Sequence, residues 1–165
     1  MVEQAESIVS SSASRTLLVH CWRGGMRSGG VAWLLDLYGF KVHALLGGYK
    51  SFRRWVLSQF EKEYPLRLVG GYTGSGKTDL LVALHDKGEA VLDLEGLAHH
   101  KGSAFGSIGQ PDQPGQEQFE NKLALSLRTA SKTQPERIWV EDESQRIGRV
   151  NVPHLFWQQI GRAHV

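Results

Sequence analysis

Residues 71–78 match a phosphate-binding loop pattern, in which a glycine and any four residues precede Gly-Lys-Ser/Thr. An apolar run from Leu66 to Val69 comes directly before the loop, and Leu80, Leu81 and Leu84 follow it at helical spacing. A strand before the loop and a helix after it are the context in which this motif binds phosphate. The pattern therefore predicts an α/β domain built on a parallel sheet.

The predicted loop offers phosphate ligands from both its backbone and its side chains. Its N–H groups cradle phosphate oxygens, Lys77 neutralises the terminal phosphates, and the Thr78 hydroxyl reaches Mg²⁺. Any diphosphate or triphosphate fits such a loop, so the motif alone leaves the ligand open. The candidate phosphate-binding residues are Gly71, Gly74, Ser75, Gly76, Lys77 and Thr78.

Two further predicted strands, residues 90–94 and 138–140, each end in acidic residues. These acidic residues are Asp93, Glu95, Glu141, Asp142 and Glu143. Either strand end can orient Mg²⁺ or a water, although acidic residues at such positions are also common as plain solvated loop residues. The candidates are Asp93, Glu141 and Asp142. Asp142 is favoured for the metal, because a hydrophobic strand followed by Glu-Asp resembles the second acidic motif of phosphate-loop proteins.

Residues 97–115 are predicted to form a long flexible loop, and long loops in compact domains are often functional. His99 and His100 lack partners at metal-ligand spacing, so they predict a substrate contact or a surface pair and not a zinc site. Beyond the loop, residues 116–130 place apolar side chains one turn apart. This spacing predicts a helix that packs on the core.

The chain contains one cysteine, Cys21, which therefore forms no disulfide within the chain. It follows a predicted strand, Thr16 to Val19, and precedes a predicted helix, Ser28 to Tyr38. Gly24 and Gly25 let the backbone between them curl with its N–H groups pointing inward. Cys21 is thus predicted to lie in an anion-binding turn between a strand and a helix.

Positive charge around Cys21 favours the thiolate over the thiol. Arg23 and Arg27 add full charges, and a helix begins just behind the loop. Such surroundings lower the pKa of a cysteine below its free value of about 8.5, which predicts a nucleophile. The alternative is that Cys21 is a small buried hydrophobic residue.

The remaining segments complete the predicted layout. Residues 1–14 are polar and Ser-rich and are predicted to be loose. Gly39 is predicted to end the helix after the cysteine loop, residues 41–45 form a short strand, and residues 49–64 form a helix with an apolar stripe. Pro65 is predicted to close this first unit.

Composition limits the partners of the chain. The net charge of the 165 residues is only +2, so the whole chain is not a general polyanion binder. A local basic run is either a solvated helix face or a nucleic-acid contact, with Arg53 and Arg54 as the RNA candidates. The run consists of Lys50, Arg53, Arg54, Lys62 and Arg67.

Neither a membrane span nor a secretory signal is predicted. No apolar stretch approaches the roughly 18 residues that a span requires, and the first residues lack a charged-then-apolar layout. The cytoplasm is the expected location, with no membrane partner. Residues 160–165 match the translation of a common sequencing adapter, so they are interpreted as a scar, outside the fold, and the natural protein is expected to continue.

The cysteine segment resembles the second half of a rhodanese domain. The resemblance rests on a strand, Cys21-Trp-Arg-Gly-Gly-Met-Arg-Ser28, a helix, then Val42 to Leu46 and Gly47-Gly48-Tyr49. In rhodanese domains the loop cysteine carries sulfur or selenium, and an earlier half precedes it, which is almost absent here. The expected fold is α/β: a partial, C-terminal half of a rhodanese-like domain over residues 1–64, followed by an incomplete P-loop NTPase-like parallel-sheet domain over residues 66–159.

Both halves together resemble the bacterial tRNA 2-selenouridine synthase family over residues 17–159. Besides the two loops, the resemblance rests on Val91-Leu-Asp-Leu-Glu-Gly-Leu-Ala98, Lys101-Gly-Ser103, Phe119-Glu-Asn121 and Trp139-Val-Glu-Asp-Glu-Ser144. It implies a selenotransferase acting on tRNA. The sulfur of wobble 2-thiouridine would be replaced by selenium from selenophosphate, after geranyl diphosphate converts that sulfur into a better leaving group.

The resemblance also implies roles for individual residues. Cys21 would be the selenium-carrying nucleophile, and the phosphate loop would bind geranyl diphosphate or a nucleotide such as ATP with Mg²⁺. The residues implied to grip selenophosphate and stabilise the anion are Arg23, Gly24, Gly25, Met26 and Arg27. The alternatives are a plain rhodanese-type sulfurtransferase, a P-loop nucleotide kinase, and a tRNA- or nucleotide-binding fragment without turnover.

Overall fold

The computed structural model describes residues 1–9, 14–72, 75–103 and 105–163. The chain forms two compact units, Met1–Trp55 and Val56–Val165. The division between the units, after Trp55, falls inside one helix. It does not test the domain boundary predicted at Pro65, which stays a prediction.

The first unit combines a pair of parallel strands with helices. Strands β1 and β2 pair in parallel, with Thr16 opposite Lys41 and Val19 opposite Ala44. The element order, which includes the helix shared by both units, is α1 (Val2–Val9), β1 (Thr16–Val19), α2 (Met26–Leu37), β2 (Lys41–Ala44) and α3 (Gly48–Gln59).

Helix α1 corrects the prediction that residues 1–14 are loose. Ala5 and Val9 are buried on one face of the helix, where they cluster with Leu35 and Phe40. Their spacing of four residues is that of a helical stripe, which the surrounding polar residues obscured. Residues 10–13 of the serine cluster lie outside the described residues.

The second unit contains a parallel sheet in the order β3-β5-β4, flanked by helices, so the predicted parallel α/β architecture is confirmed here. Its elements are β3 (Leu66–Val69), α4 (Lys77–Asp86), β4 (Val91–Leu92), α5 (Leu94–Ala98), α6 (Gln116–Thr133), β5 (Ile138–Glu141), β6 (Arg146–Ile147), β7 (Val150–Asn151) and α7 (His154–Arg162).

The register of this sheet brings three strand ends to one edge. Val69 at the end of β3 lies opposite Glu141 at the end of β5, and Leu92 of β4 lies opposite Val140. Ligands of parallel sheets bind at the carboxyl ends of the strands. The phosphate loop after β3 and the acidic residues after β4 and β5 therefore emerge side by side.

Helix α6 forms one wall of the core of this unit. Phe119, Leu123 and Leu127 are 0% exposed, which confirms the predicted apolar stripe. Burying side chains of this size stabilises a fold by about 1.5–3 kcal/mol each. The helix extends to Thr133 rather than Ala130.

Four elements of the second unit differ from the sequence predictions. Helix α5 occupies part of the segment expected to be strand and loop, and β6 and β7 form an antiparallel hairpin. Helix α7 extends through Arg162, and Ile160 is only 2% exposed. Excluding residues 160–165 from the fold was therefore wrong for Ile160, whereas their origin as a scar stays a prediction. His164 and Val165 lie outside the described residues.

None of the helices in the described ranges combines the length and the apolar character that crossing a membrane would demand.

Candidate functional site

The phosphate loop of the second unit connects β3 to α4 through glycines in special conformations. Gly76 precedes α4 with φ 82°, in the left-handed region that glycine adopts without strain. A Cβ on Gly71, with φ 150°, would lie 2.6 Å from the Ser75 Oγ. Lys77 turns back over the loop, and its Nζ donates hydrogen bonds to the carbonyls of Gly71 (2.7 Å) and Tyr72 (3.4 Å).

A cavity of about 570 Å³ opens beside this loop. Four predicted phosphate-binding residues line it. Ser75 does not, and its backbone N–H donates to the Tyr72 carbonyl at 3.1 Å, whereas Gly74 lies outside the described residues. Asp142 also lines the cavity. The full lining is Gly71, Gly76, Lys77, Thr78, Asp79, Glu95, Lys101, Gly102, Ser103, Asp142, Glu143 and Ser144.

Three carboxyl groups meet next to this cavity. One oxygen each from Glu95, Glu141 and Glu143 lies within 4.8 Å of the others. Glu141, at the end of β5, is 1% exposed, and its Oε1 accepts a hydrogen bond from the Glu95 N–H at 2.8 Å. Carboxylate oxygens are the ligands that Mg²⁺ prefers, so the cluster suits a divalent cation.

The environment of these carboxyl groups raises their pKa values. Burial, reinforced by the nearby acids, raises the pKa of Glu141 to about 7. Burial also raises the pKa of Glu95 and of Glu143, and the ammonium group of Lys77 partly opposes both shifts. Because Lys77 affects the acids in this way, the phosphate loop and the acidic cluster form one electrostatic site.

The other two acidic candidates, Asp93 and Asp142, do not belong to this cluster of three carboxyl groups. The Asp93 carboxylate caps α5 by accepting a hydrogen bond from the Gly96 N–H at 2.7 Å, and Asp93 does not line the phosphate cavity. The backbone N–H of Asp142 donates to the Val69 carbonyl at 3.1 Å, which extends the pairing of β5 with β3. Their predicted roles toward Mg²⁺ or water stay predictions.

The loop expected to be flexible is held in place by Gln113. Its Nε2 donates to the carbonyls of Ala98 (3.0 Å) and Ile147 (3.2 Å), and its Oε1 accepts from the Arg149 N–H (3.0 Å). His99 Nδ1 lies 2.9 Å from the Asp112 carbonyl oxygen. These bonds position the start of the loop, where Lys101 and Ser103 line the cavity.

Gln116 fixes the end of the same segment to the hairpin. Its Nε2 donates to the Asn151 carbonyl, and its Oε1 accepts from the Asn151 N–H, both at 2.8 Å. The side-chain amide thus pairs with β7 as a peptide group of a neighbouring strand would.

In the first unit, Cys21 lies between β1 and α2 as predicted. Its Sγ lies 3.3 Å from the Ser28 Oγ and accepts a hydrogen bond from the Gly25 N–H at 3.4 Å. Ser28 is 5% exposed, so its hydroxyl is held in place. These hydrogen bonds, with the Ser28 hydroxyl first, lower the pKa of Cys21 from 9.0 to about 6.

The lowered pKa agrees with the sequence prediction, but its main cause differs. The arginine charges were expected to contribute, whereas Arg23 acts through its backbone N–H and the Ser28 hydroxyl dominates. Arg23, Gly24 and Gly25 are exposed in the loop, and Met26 and Arg27 are exposed in the first turn of α2, which leaves both guanidinium groups available to an anion.

Two glycines bring the cysteine loop against the turn that precedes α3. Gly24 and Gly48 have φ values of 65° and 64°, and a Cβ on Gly24 would lie 2.5 Å from the Gly48 N. The carbonyls of Cys21 and Trp22 accept hydrogen bonds from the N–H groups of Tyr49 (2.9 Å) and Lys50 (3.0 Å). The loop is therefore fixed by backbone contacts that tolerate no side chain.

The structure adds residues that sequence analysis left without a role. The sequence marks Ser28 only as the start of a helix, and Lys101 and Ser103 only as parts of a motif. Glu95 and Glu143 were recognised at strand ends, but no sequence spacing indicated that they meet. For Ser28 the available signal was a hydroxyl in the first turn of the helix that follows a cysteine.

The parallel sheet, the glycine loop after β3 and Lys77 at the start of α4 define a P-loop protein. A family model described as "tRNA 2-selenouridine synthase AAA domain" matches residues 64–165. The chain therefore belongs to the tRNA 2-selenouridine synthase family.

Curated relatives agree with this assignment. The chain is 39% identical over 150 residues to the tRNA 2-selenouridine synthase of Shewanella piezotolerans, a match that covers 89% of this chain and 40% of the relative. It is 42% identical over 142 residues to that of Shewanella sediminis, which covers 84% and 37%. For Cupriavidus pinatubonensis the identity is 39% over 146 residues, covering 86% and 38%.

The chain thus spans about 40% of the length of the curated relatives that it matches. No solved structure matches it significantly.

Proposed function

We propose that this chain carries the selenium-handling and phosphate-binding sites of a tRNA 2-selenouridine synthase. In this proposal, sulfur of wobble 2-thiouridine in tRNA is replaced by selenium from selenophosphate through an S-geranylated intermediate. The observation that carries it is that one chain of this family holds both a cysteine with a pKa lowered to about 6 and a phosphate cavity lined by Lys77. The names of the relatives support the reaction class.

The first unit serves as the C-terminal half of a rhodanese-like domain in this proposal. Support comes from the order of β1, a tight cysteine loop, α2 and a parallel β2. The Gly25 N–H points at the Cys21 Sγ, as expected for a loop that stabilises an anion.

The phosphate cavity binds geranyl diphosphate in the first chemical step. The sulfur of 2-thiouridine attacks C1 of the geranyl group, the C1–O bond breaks, and diphosphate leaves. Lys77 and the loop N–H groups stabilise the charge that develops on the leaving diphosphate. A groove of about 180 Å³ shares Thr78 with the phosphate cavity. Leu81, Val82 and Val91 give it apolar walls that suit an isoprenoid tail, and His85 and Asp93 complete its lining.

The selenium step follows at the cysteine loop. Overall, the C2–S bond breaks, a C2–Se bond forms, geranylthiol leaves, and water takes the phosphoryl group of selenophosphate, so the exchange needs no oxidant. In this step the Cys21 thiolate attacks the phosphorus of selenophosphate, the P–Se bond breaks, and the released selenide adds to C2 of the S-geranylated uridine. Water then hydrolyses the S–P bond, which returns Cys21 and gives phosphate. Arg23, exposed in the loop, and Arg27, exposed in the first turn of α2, bind the phosphoryl oxygens.

A divalent cation fits the acidic side of the phosphate cavity. Glu95, Glu141 and Glu143 supply a compact set of oxygens, and the Thr78 hydroxyl lines the same cavity. Mg²⁺ held there would neutralise part of the diphosphate charge.

The test is nucleoside mass spectrometry of thiolated tRNA after incubation with this chain, selenophosphate and geranyl diphosphate. Selenouridine should form, Cys21→Ala should stop at the S-geranylated nucleoside, and Lys77→Met should leave 2-thiouridine unchanged. Cys21→Ser is the isosteric control for packing at the cysteine position, and Lys87→Met is the matched control for Lys77.

Two outcomes would favour the alternative functions. Sulfur transfer from thiosulfate that survives Lys77→Met, with no selenium incorporated, would support a plain sulfurtransferase. Phosphoryl transfer from ATP that survives Cys21→Ala would support a P-loop kinase.

A further inference from the structure

The surface next to Cys21 combines exposed aromatic rings with positive charge. Trp22 follows the cysteine directly, and its side chain is exposed, with 53% of the residue surface accessible. The exposed ring offers a large flat apolar face beside the candidate nucleophile, on which a planar ligand can stack.

Trp22 lies at the end of a row of neighbouring aromatic rings. The Trp22 and Tyr49 ring centroids lie 5.8 Å apart, those of Tyr49 and Phe52 5.9 Å, and those of Phe52 and Trp55 5.7 Å. His20 also contacts Tyr49, at 5.9 Å. Tyr49, Phe52 and Trp55 are half-buried, so the exposed Trp22 ring rests on a fixed aromatic base.

The backbone under Trp22 is fixed as well. Its carbonyl accepts the Lys50 N–H at 3.0 Å, and the Cys21 carbonyl accepts the Tyr49 N–H at 2.9 Å. A ring on so constrained a backbone can hold a stacked partner in one position relative to the sulfur atom.

The charge around this platform is strongly positive. Residues 20–55 contain six lysines and arginines and a single acid, Asp36, although the whole chain has a net charge of only +2. Five of these basic residues, Arg23, Arg27, Lys41, Lys50 and Arg54, are exposed. Interleaved aromatic and basic side chains are the pattern that binds single-stranded nucleic acid, by stacking on bases and attraction to phosphates.

We infer that Trp22 is a stacking platform for an unpaired RNA base, which it positions next to the Cys21 sulfur, while the surrounding arginines and lysines contact the flanking phosphates. The inference rests on the proposed function in taking tRNA as the substrate. It adds the residue that holds the target base, and it makes Trp22 a positioning residue for the selenium step.

Photo-cross-linking locates the stacked base directly. An RNA anticodon stem–loop carrying 5-iodouridine at the wobble position is irradiated with the chain, and the cross-linked peptide is mapped by mass spectrometry. The cross-link should fall on Trp22. A cross-link confined to other residues would overturn the inference.

Binding to the same stem–loop, measured by fluorescence anisotropy, tests the energy of stacking. Because base stacking on an aromatic ring contributes about five- to hundredfold in affinity, Trp22→Leu should weaken binding by that factor. Trp22→Tyr should restore most of it, since a second aromatic ring still stacks. Trp33→Ala, which removes a 66% exposed tryptophan of the same unit, should leave affinity unchanged.

The Trp22→Leu variant distinguishes stacking on an RNA base from packing against a protein surface. If Trp22 instead packs against another polypeptide segment or a second copy of the chain, Trp22→Leu would preserve RNA affinity, and that result would overturn the inference. A duplex RNA without unpaired bases should bind equally to the wild type and to Trp22→Leu.

The assay for selenouridine formation and the assays for RNA stacking can fail independently. If the wild type cross-links through Trp22 but makes no selenouridine, the proposed function fails while the platform stands. If selenouridine forms equally well in Trp22→Leu with unchanged RNA affinity, the platform fails while the proposed function stands.

Discussion

The Ser28 hydroxyl lies 3.3 Å from the Cys21 sulfur and is the largest cause of the low pKa of that thiol. Ser28 lies in the first turn of α2, so the helix that follows the cysteine loop also sets the reactivity of the Cys21 thiol. A thiol with a pKa near 6 is mostly thiolate at neutral pH.

Replacing Ser28 by alanine should therefore raise the pKa of Cys21. The rate of alkylation by iodoacetamide at pH 7 should fall about tenfold, since the thiolate fraction falls as the pKa rises. Because Cys21 is the only cysteine, the pH dependence of alkylation reports on it alone. Ser7→Ala, in α1 of the same unit, should leave the profile unchanged; an unaltered profile in Ser28→Ala would contradict the assigned cause.

Gly48→Ala should destabilise the first unit. The new Cβ would collide with the Cys21 carbonyl and the Gly24 N, at a φ of 64° that alanine rarely adopts. We expect a loss of about 1–3 kcal/mol or more in the free energy of unfolding, measured by urea denaturation. Gly29→Ala, in α2 where a new Cβ would meet no atom within 4 Å, should instead stabilise the chain by about 0.5–1 kcal/mol.

Lys77→Met should weaken phosphate binding while leaving the fold intact. The ammonium group lines the cavity and contacts the carbonyls of Gly71 and Tyr72. A charged hydrogen bond contributes about 1.5–3 kcal/mol, so affinity for diphosphate should fall about 10- to 100-fold by isothermal titration calorimetry. Lys87→Met is the matched control at the other end of α4, and equal losses in both variants would argue against a specific role for Lys77.

Glu141 should make stability depend on pH. Burial raises the pKa of its carboxyl from 4.5 to about 7, so the folded state binds the proton more tightly than the unfolded state does. Its contribution is fully present below pH 4.5 and is lost as pH rises through about 7, by about 3 kcal/mol in all.

Comparison with Glu141→Gln isolates this contribution. The amide oxygen can still accept the Glu95 N–H but does not ionise. In urea denaturation without added divalent cations, the free energy of unfolding of the wild type should fall relative to the variant between pH 5 and 8. Parallel pH profiles for the two proteins would contradict the raised pKa.

The sequence predicted the elements whose signals are local. Strand β3 and the start of the phosphate loop are marked by an apolar run followed by glycines, and Gly39 ends α2 with φ 78°. Strands β6 and β7 have two residues each, too few for any periodicity to identify them. They are held instead by the side chains of Gln113 and Gln116.

The residues of the candidate site also fall into those that the local sequence identifies and those that only the fold brings together. Lys77 and Cys21 are identifiable from their immediate neighbours in the chain. The meeting of Glu95 with Glu141 and Glu143 depends on the sheet order β3-β5-β4, which places β5 beside β4 although α6 separates them in sequence. Strand order is decided by packing of the whole unit, which no local pattern records.

The pairing of the Gln116 amide with Asn151 has a consequence for the surface of the second unit. A strand of two residues exposes backbone donors and acceptors to which a strand from another molecule can add. Gln116 occupies both groups of Asn151 at 2.8 Å. One side chain from the start of α6 thereby protects this edge against β-type self-association.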